Sequence, residues 1–528
     1  MIDTIIERAH IFDGTGSPPL ACDLAVVNDR IALIGDLSEH DAHERIDGRG
    51  LTLCPGFIDV HSHSDELWLI NPRCEGKILQ GVTTEIGGNC GSSVAPLRGL
   101  AFERKQEELA RYGYGEQWND LDGFFTLIER NGVALNVATL IGLGTTRRGV
   151  RADREGKLDR RESEAQCALV REGVEQGGLG VSSGLIYVPS RYADLDELVA
   201  CARQARDAGQ PRYVSHLRDE GDALFEALDE ALEVGRRAEV AVQCSHHKAS
   251  GKKNWGKAHD SLRAIDRARA SGLTVHADAY PYTAMWTDLA TILPKEALFG
   301  GREETLTRLQ DPEIAAGLVF RLELERADTW RDITIAGGLS ERNARLAGLR
   351  MDEIARTWNT HPARAALRLL IEERLEPQAL FFSMHEDDVN AVLSASFTCI
   401  GSDASARALS GVTAQGVPHP RTYGTFPRIF SRFVRGRKTF EIAEAIRRMT
   451  SLPADIFGLA NRGRIRIGAY ADLVLFDAER IADTATYERP FSAPVGIKSV
   501  LVNGKAVVHN GAITGALPGR ALRGGCCI

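Results

Sequence analysis

Phe57-Ile58-Asp59-Val60-His61-Ser62-His63-Ser64-Asp65 (FIDVHSHSD) decides how this chain is read. The apolar run through Phe57, Ile58 and Val60 reads as a buried strand, and two histidines follow at its end. Side chains two apart on extended backbone share a face, so His61 and His63 can converge on one metal ion. A lone histidine is more often a satisfied core or surface residue. A pair closing a strand, at the rim where barrel enzymes carry their chemistry, is a metal-ligand pattern.

Working outward, the middle of the chain keeps a βα rhythm. Strands are expected at Gly56–His63, Thr83–Gly88, Asn136–Gly142, Gly178–Leu185, Arg212–Leu217, Val240–His247, Thr274–Tyr282 and Phe397–Ala404. Between most of them lie stretches such as LDELVACARQARDAG, apolar at three- and four-residue spacing. Eight strands alternating with helices predict an α/β chain with a (β/α)8 TIM-like barrel, residues 56–461. Residues 285–350 are too long for a barrel connection and are expected to form an insertion, a lid over the mouth. Both ends are strand-rich with Asn-Gly and Asp-Gly turns, so residues 1–55 and 462–528 are expected to build one small β-sandwich domain.

Composition narrows the class. The 528 residues are 43% hydrophobic and 26% charged, which excludes a disordered or fibrous chain. With 64 basic against 72 acidic residues the net charge is -8, and no Lys/Arg block marks a nucleic-acid partner. No run of about 18 apolar residues predicts a membrane span, and the opening MIDTIIERAHIFDGTG does not read as a signal peptide. Ten cysteines without a Cys-x-x-Cys pair argue against a disulfide scaffold, and the Cys526-Cys527 pair reads as incidental. A cytoplasmic protein is the expectation, with a homo-oligomer left open.

Further metal-type residues fall at strand ends. Cys90 follows the second strand in EIGGNCGSS, where a thiolate among histidines makes a good zinc ligand. His216 (RYVSHLRDEG) ends the fifth strand and His246 (VQCSHHKASG) the sixth; neighbouring strands lie close enough for their terminal imidazoles to share zinc. Alternation turns His247 the other way, and His276 reads as structural. Asp403 (CIGSDAS) ends the eighth strand, as a candidate general base.

His61-x-His63, a histidine on each of strands five and six, and Asp403 together resemble the amidohydrolase superfamily. Longer phrases resemble the N-acyl-D-amino-acid deacylase (D-aminoacylase) family: GNCGSSVAP, GVSSGLIYVPSRYA, SHLRDEG, SHHKASGKKNWG, DAYPYTA, HPRTYGTFPR and GAYADLVLFD. The resemblance implies a tightly bound Zn2+ on Cys90, His216 and His246, a weaker second metal position at His61 and His63, and Asp403 as catalytic acid/base. It also implies that Lys248, Tyr280 and Arg421 anchor the carboxylate of a small-molecule N-acyl-D-amino acid. Eighteen positions separate Asp403 from Arg421, more than in the family's best-known members.

The substrate side chain is expected near Leu293, the position matching an arginine in family members that prefer acidic substrates. Met285–Pro294 (MWTDLATILP) holds no Lys or Arg, the nearest basic residue being Lys295, so neutral or apolar side chains are the expected preference. Within the resembled family the alternative is an N-acyl-D-glutamate or N-acyl-D-aspartate deacylase, and two other readings fit the barrel: a cyclic amidase of the dihydropyrimidinase or dihydroorotase kind, and a non-enzymatic assembly protein. Cys90 and the Lys248/Tyr280/Arg421 set weigh against the first; a cluster of five metal-type ligands with Asp403 weighs against the second.

Overall fold

A computed structural model describes residues 1–525; the Cys526-Cys527 pair lies outside the described residues. Eight parallel strands run through the middle: β1 Phe57–Asp59, β2 Val82–Gly87, β3 Asn136–Thr139, β4 Val181–Gly184, β5 Arg212–His216, β6 Ala241–Cys244, β7 Val275–Ala279 and β8 Thr398–Ile400. Seven fall inside the stretches expected from the sequence, and β2 begins one residue before its own, at Val82. β1, β2 and β3 pair in order, as do β4 to β8, and Ile141–Gly142 just after β3 bridges to β4. A parallel bridge between Ser62 and Ala404 returns β8 to β1, with Asp403 N donating to His61 O at 2.7 Å. Strands covered on both faces read as nearly continuous apolar runs. Ile58, Ile86, Ala138, Val214 and Cys399, from five different strands, accordingly pack as one inner cluster, while Phe57, Val82, Val137, Tyr213 and Val242 belong to the larger core that includes the surrounding helices.

The seam between β8 and β1 is held by one buried ammonium. Lys77 Nζ lies 2.7 Å from Asp59 Oδ2 and 2.7 Å from Glu85 Oε1, and donates to Ser402 Oγ at 2.8 Å and to Ala404 O at 2.9 Å. Asp59 is on β1, Glu85 on β2, and Ser402 and Ala404 follow β8. Burial alone would lower the pKa of Lys77, yet Asp59 and Glu85 hold it above the ordinary lysine value.

Strands from both ends share one nine-stranded sheet. Its junction is Thr52–Pro55 running antiparallel to Leu473–Phe476. Alternation divides the labour there: Leu473 and Leu475 face the sheet's own core, whereas Val474 and Phe476 join the barrel core. The hydrogen-bonded strands thus form one continuous sheet, not two separate ones. The final segment departs from the expected boundary as well. Val137 N on β3 donates to Arg520 O, and Leu522 N to Val137 O, so residues after the last sheet strand strap onto the barrel.

The insertion is larger than residues 285–350. Met285–Asp288, Ile333–Gly337 and Gln378–Phe381 make an antiparallel sheet with the last strand in the centre. The unit therefore closes only at Phe381, around a core of its own that includes Leu289, Leu322, Trp330 and Leu369. Among the described residues no helix is long and apolar enough to cross a membrane.

Lys77→Met should leave Asp59 and Glu85 buried without a counter-charge. The expected loss is about 3–5 kcal/mol, read as a lower urea midpoint of the whole chain; an unchanged midpoint would show that the seam is held otherwise.

Candidate active site

The expected ligands and Asp403 collect at the C-terminal ends of the barrel strands. His61 and His63 follow β1, Cys90 follows β2, His216 ends β5, His246 follows β6 and Asp403 follows β8. His61, His216, His246 and Asp403 are buried, and His63 and Cys90 are half-buried. Three have left-handed backbone, with φ of 52° at Cys90, 33° at His246 and 51° at Asp403. Side chains other than glycine avoid this region, and its use by three clustered residues marks a site over-determined by its surroundings. Close packing supplies that constraint: a Cβ on Gly184 would stand 2.0 Å from Cys90 O.

The donor atoms face one another. Cys90 Sγ lies 3.3 Å from His61 Nε2 and 3.5 Å from His246 Nε2, which in turn is 2.9 Å from His216 Nδ1. Ligands of one tetrahedral zinc stand about 3.3–3.6 Å apart, given bonds of about 2.0–2.3 Å. Three triads have donor atoms within 4.8 Å of one another: His61/Cys90/His246, His61/His63/Asp403 and His216/Glu220/His246. All five expected ligands are thus brought together, but the geometry does not divide them as expected. Cys90 stands between the two pairs, with His61 as close a neighbour as His246, and His216 joins through His246. Among the described residues His216 Nε2 is buried without a hydrogen-bond partner. Burial alone would raise the Cys90 thiol, but His61, His246 and His216 draw it well below its ordinary value, the direction of a ligand thiolate. Soft and imidazole donors of this kind suit zinc.

Neighbours that the sequence did not single out fix the rings. Asp278 on β7 lies 3.0 Å from His61 Nδ1 and accepts from His246 N at 2.8 Å, which directs His61 Nε2 at Cys90. Glu220 Oε1 lies 2.9 Å from His246 Nδ1 and accepts from Lys248 Nζ at 2.6 Å. Both sit at strand ends in stretches already noted, DAYPY and SHLRDEG; rim position was the available signal. His247 turns away to Ser261 Oγ at 2.8 Å, and burial brings both His247 and His276 down to about 4.

Asp403 Oδ1 lies 3.0 Å from His63 Nε2, and Oδ2 lies 2.9 Å from Arg421 Nη1. Burial would raise its pKa, but Arg421 and the facing His246, His63 and His61 hold it well below the carboxylate range. Arg421 also sits 4.5 Å over the Tyr280 ring, whose buried hydroxyl has no hydrogen-bond partner among the described residues. Lys248, Tyr280 and Arg421 line the same cavity as Cys90, His216, His246 and Asp403, with a volume of about 1040 Å³.

Leu293 is not in that wall. It is buried in the insertion's own core with Leu289 and Ile292, and the cavity is lined instead by Met285, Trp286 and Thr287 from the same segment. The turn after Met285–Asp288 carries the later residues inward. Cations from elsewhere also reach the wall, Arg218, Lys252, Lys253, Arg326 and Arg407 among them, so the lack of Lys and Arg in Met285–Pro294 does not by itself set the preference.

The chain matches the family model described as "Amidohydrolase family" over residues 44–508, and it belongs to that family. Among curated relatives it is 36% identical to N-acyl-D-glutamate deacylase and 35% identical to D-aminoacylase, both of Alcaligenes xylosoxydans xylosoxydans. These matches cover 99% and 98% of this chain, and 96% and 97% of the relatives. Among solved structures, N-acyl-D-glutamate deacylase from Bordetella bronchiseptica, complexed with zinc and a phosphonate inhibitor, superposes with a TM-score of 0.83 at 34% identity, covering 99% of both chains.

If Cys90 is a ligand, Cys90→Ala should release the zinc that the purified protein holds. Atomic absorption on the folded variant checks this, and unchanged zinc content would remove Cys90 from the metal centre.

Proposed function

We propose that this protein is a zinc-dependent deacylase that hydrolyses N-acyl-D-amino acids to a carboxylate and a free D-amino acid. One observation carries the reading: a sulfur and imidazole donor cluster shares a cavity with a buried carboxylate and with Lys248, Tyr280 and Arg421. The family relatives named for N-acyl-D-amino-acid deacylation, and the zinc and tetrahedral-intermediate mimic in the Bordetella enzyme, support it.

Cys90, His216 and His246, with His61 and His63 beside them, would hold the metal. A zinc ion held there would lower the pKa of water to about 7 and would polarise the scissile carbonyl. Asp403, ionised by its cationic neighbours, accepts the proton of the attacking water and returns it to the departing nitrogen. Lys248, the free Tyr280 hydroxyl and Arg421 receive the substrate's α-carboxylate, Arg421 through its planar fork. Holding carboxylate, carbonyl and side chain together leaves one enantiomer in reach of the water.

Asp403→Asn is expected to keep its zinc and lose at least ~10²-fold in kcat; near-normal turnover would take Asp403 out of the proton path. Side by side, N-acetyl-D-amino acids should be hydrolysed and their L-enantiomers largely spared. Preference for L substrates, or ring opening of hydantoins instead, would overturn the assignment.

A further inference from the structure

His246 offers its two ring nitrogens to two different neighbourhoods. Nε2 faces the donor cluster, 3.5 Å from Cys90 Sγ and 2.9 Å from His216 Nδ1. Nδ1 has two neighbours at once, Glu220 Oε1 at 2.9 Å and Lys248 Nζ at 2.7 Å. Lys248 Nζ also donates to Glu220 Oε1 at 2.6 Å, so the three atoms close a tight triangle. The side chains of His246, Lys248 and Glu220 are 3%, 5% and 10% exposed, which leaves water little part in it.

The two neighbours make opposite demands on Nδ1. An ammonium only donates and an ionised carboxylate only accepts, while a neutral imidazole carries one N–H and one lone pair. If Lys248 donates to Nδ1, the ring proton sits on Nε2 and points into the donor cluster. If Nδ1–H donates to Glu220, the Nε2 lone pair is open to a metal. The hydrogen bond at one ring nitrogen thus decides what the other can do.

The backbone holds the competitors in place. Ser250 N donates to Glu220 O at 2.7 Å, and Gly221 N and Ala223 N donate to Asp219 Oδ1 at 2.7 and 3.2 Å. On the facing segment His246 N and His247 N donate to Asp278, to Oδ1 and to the backbone oxygen, both at 2.8 Å. Lys248 follows on that same segment, so its ammonium stays within reach of Nδ1 whether or not a carboxylate stands between them.

We propose that Glu220 is a positioning residue: it accepts the Nδ1–H of His246 against the competing ammonium of Lys248, and so keeps Nε2 open to zinc. The inference rests on the zinc-dependent reading above and goes beyond it, in naming what keeps the substrate's carboxylate anchor from disabling a metal ligand two residues away.

Zinc-loaded protein titrated with a competing chelator tests this without any turnover. Glu220→Ala should weaken zinc binding at least ~10-fold, as loss of the partner behind a metal-binding histidine does. Lys248→Met alone should stay within ~3-fold of the wild type, and Glu220→Ala/Lys248→Met should return to within ~3-fold of Lys248→Met, because the competing donor is gone. A double variant as weak as Glu220→Ala would mean that Glu220 acts as a ligand or as mere packing, and would overturn the proposal. So would unchanged affinity in Glu220→Ala while His246→Ala loses its zinc. Zinc binding untouched by His246→Ala would instead contradict the metal assignment. Histidine ¹⁵N spectra of zinc-loaded and chelator-treated protein then still decide the role of Glu220. A proton on Nδ1 of His246 in the wild type that moves to Nε2 in Glu220→Ala supports it; a proton on Nε2 in the wild type, or one unmoved in the variant, overturns it.

Discussion

A single ammonium buried between two carboxylates sets the frame for everything above it. Lys77 joins β1, β2 and the segment after β8, where a parallel barrel must close on itself, and it does so just below the residues that carry the chemistry. Asp403 directly follows Ser402, whose backbone and hydroxyl are both bound to Asp59. The strained φ of Asp403 is thus imposed from beneath by a network with no exposure to water. Such a network is costly to bury and severe to break, which favours one geometry over its alternatives.

Above that seam the cavity gathers groups that repel or desolvate one another when left alone. Imidazole nitrogens stand nose to nose, a thiolate sits among them, and the guanidinium groups of Arg407 and Arg421 share the Trp286 indole. The nitrogen and sulfur lone pairs suit a cation, while Arg421 is paired with Asp403 beside them. The donor cluster, Lys248, Tyr280 and Arg421 line one cavity, to which the insertion, with a core of its own, also contributes residues.

The barrel was legible because strand and helix periods alternate eight times, and because ligands at strand ends must meet at one rim whatever the helices do. His61, His63, Cys90, His216, His246 and Asp403 follow from that rule alone. Leu293 was misplaced for a physical reason: an apolar run after Tyr-Pro-Tyr does not say whether it faces a cavity or an inner core, and here the strand turns at Asp288. The end of the insertion was missed because its central strand comes last. Lys77 was silent, since its value lies in partners from other strands, and Asp278 and Glu220 offered only their position at the rim. Arg407 sits in the long stretch between Asp403 and Arg421, where no periodicity speaks.

The central claim is that Cys90 and its facing histidines bind the zinc. Zinc K-edge X-ray absorption on the protein loaded with one zinc per chain tests it most directly. One sulfur scatterer at about 2.3 Å with nitrogen or oxygen at about 2.0–2.1 Å is the result expected; a shell of nitrogen and oxygen alone would contradict it.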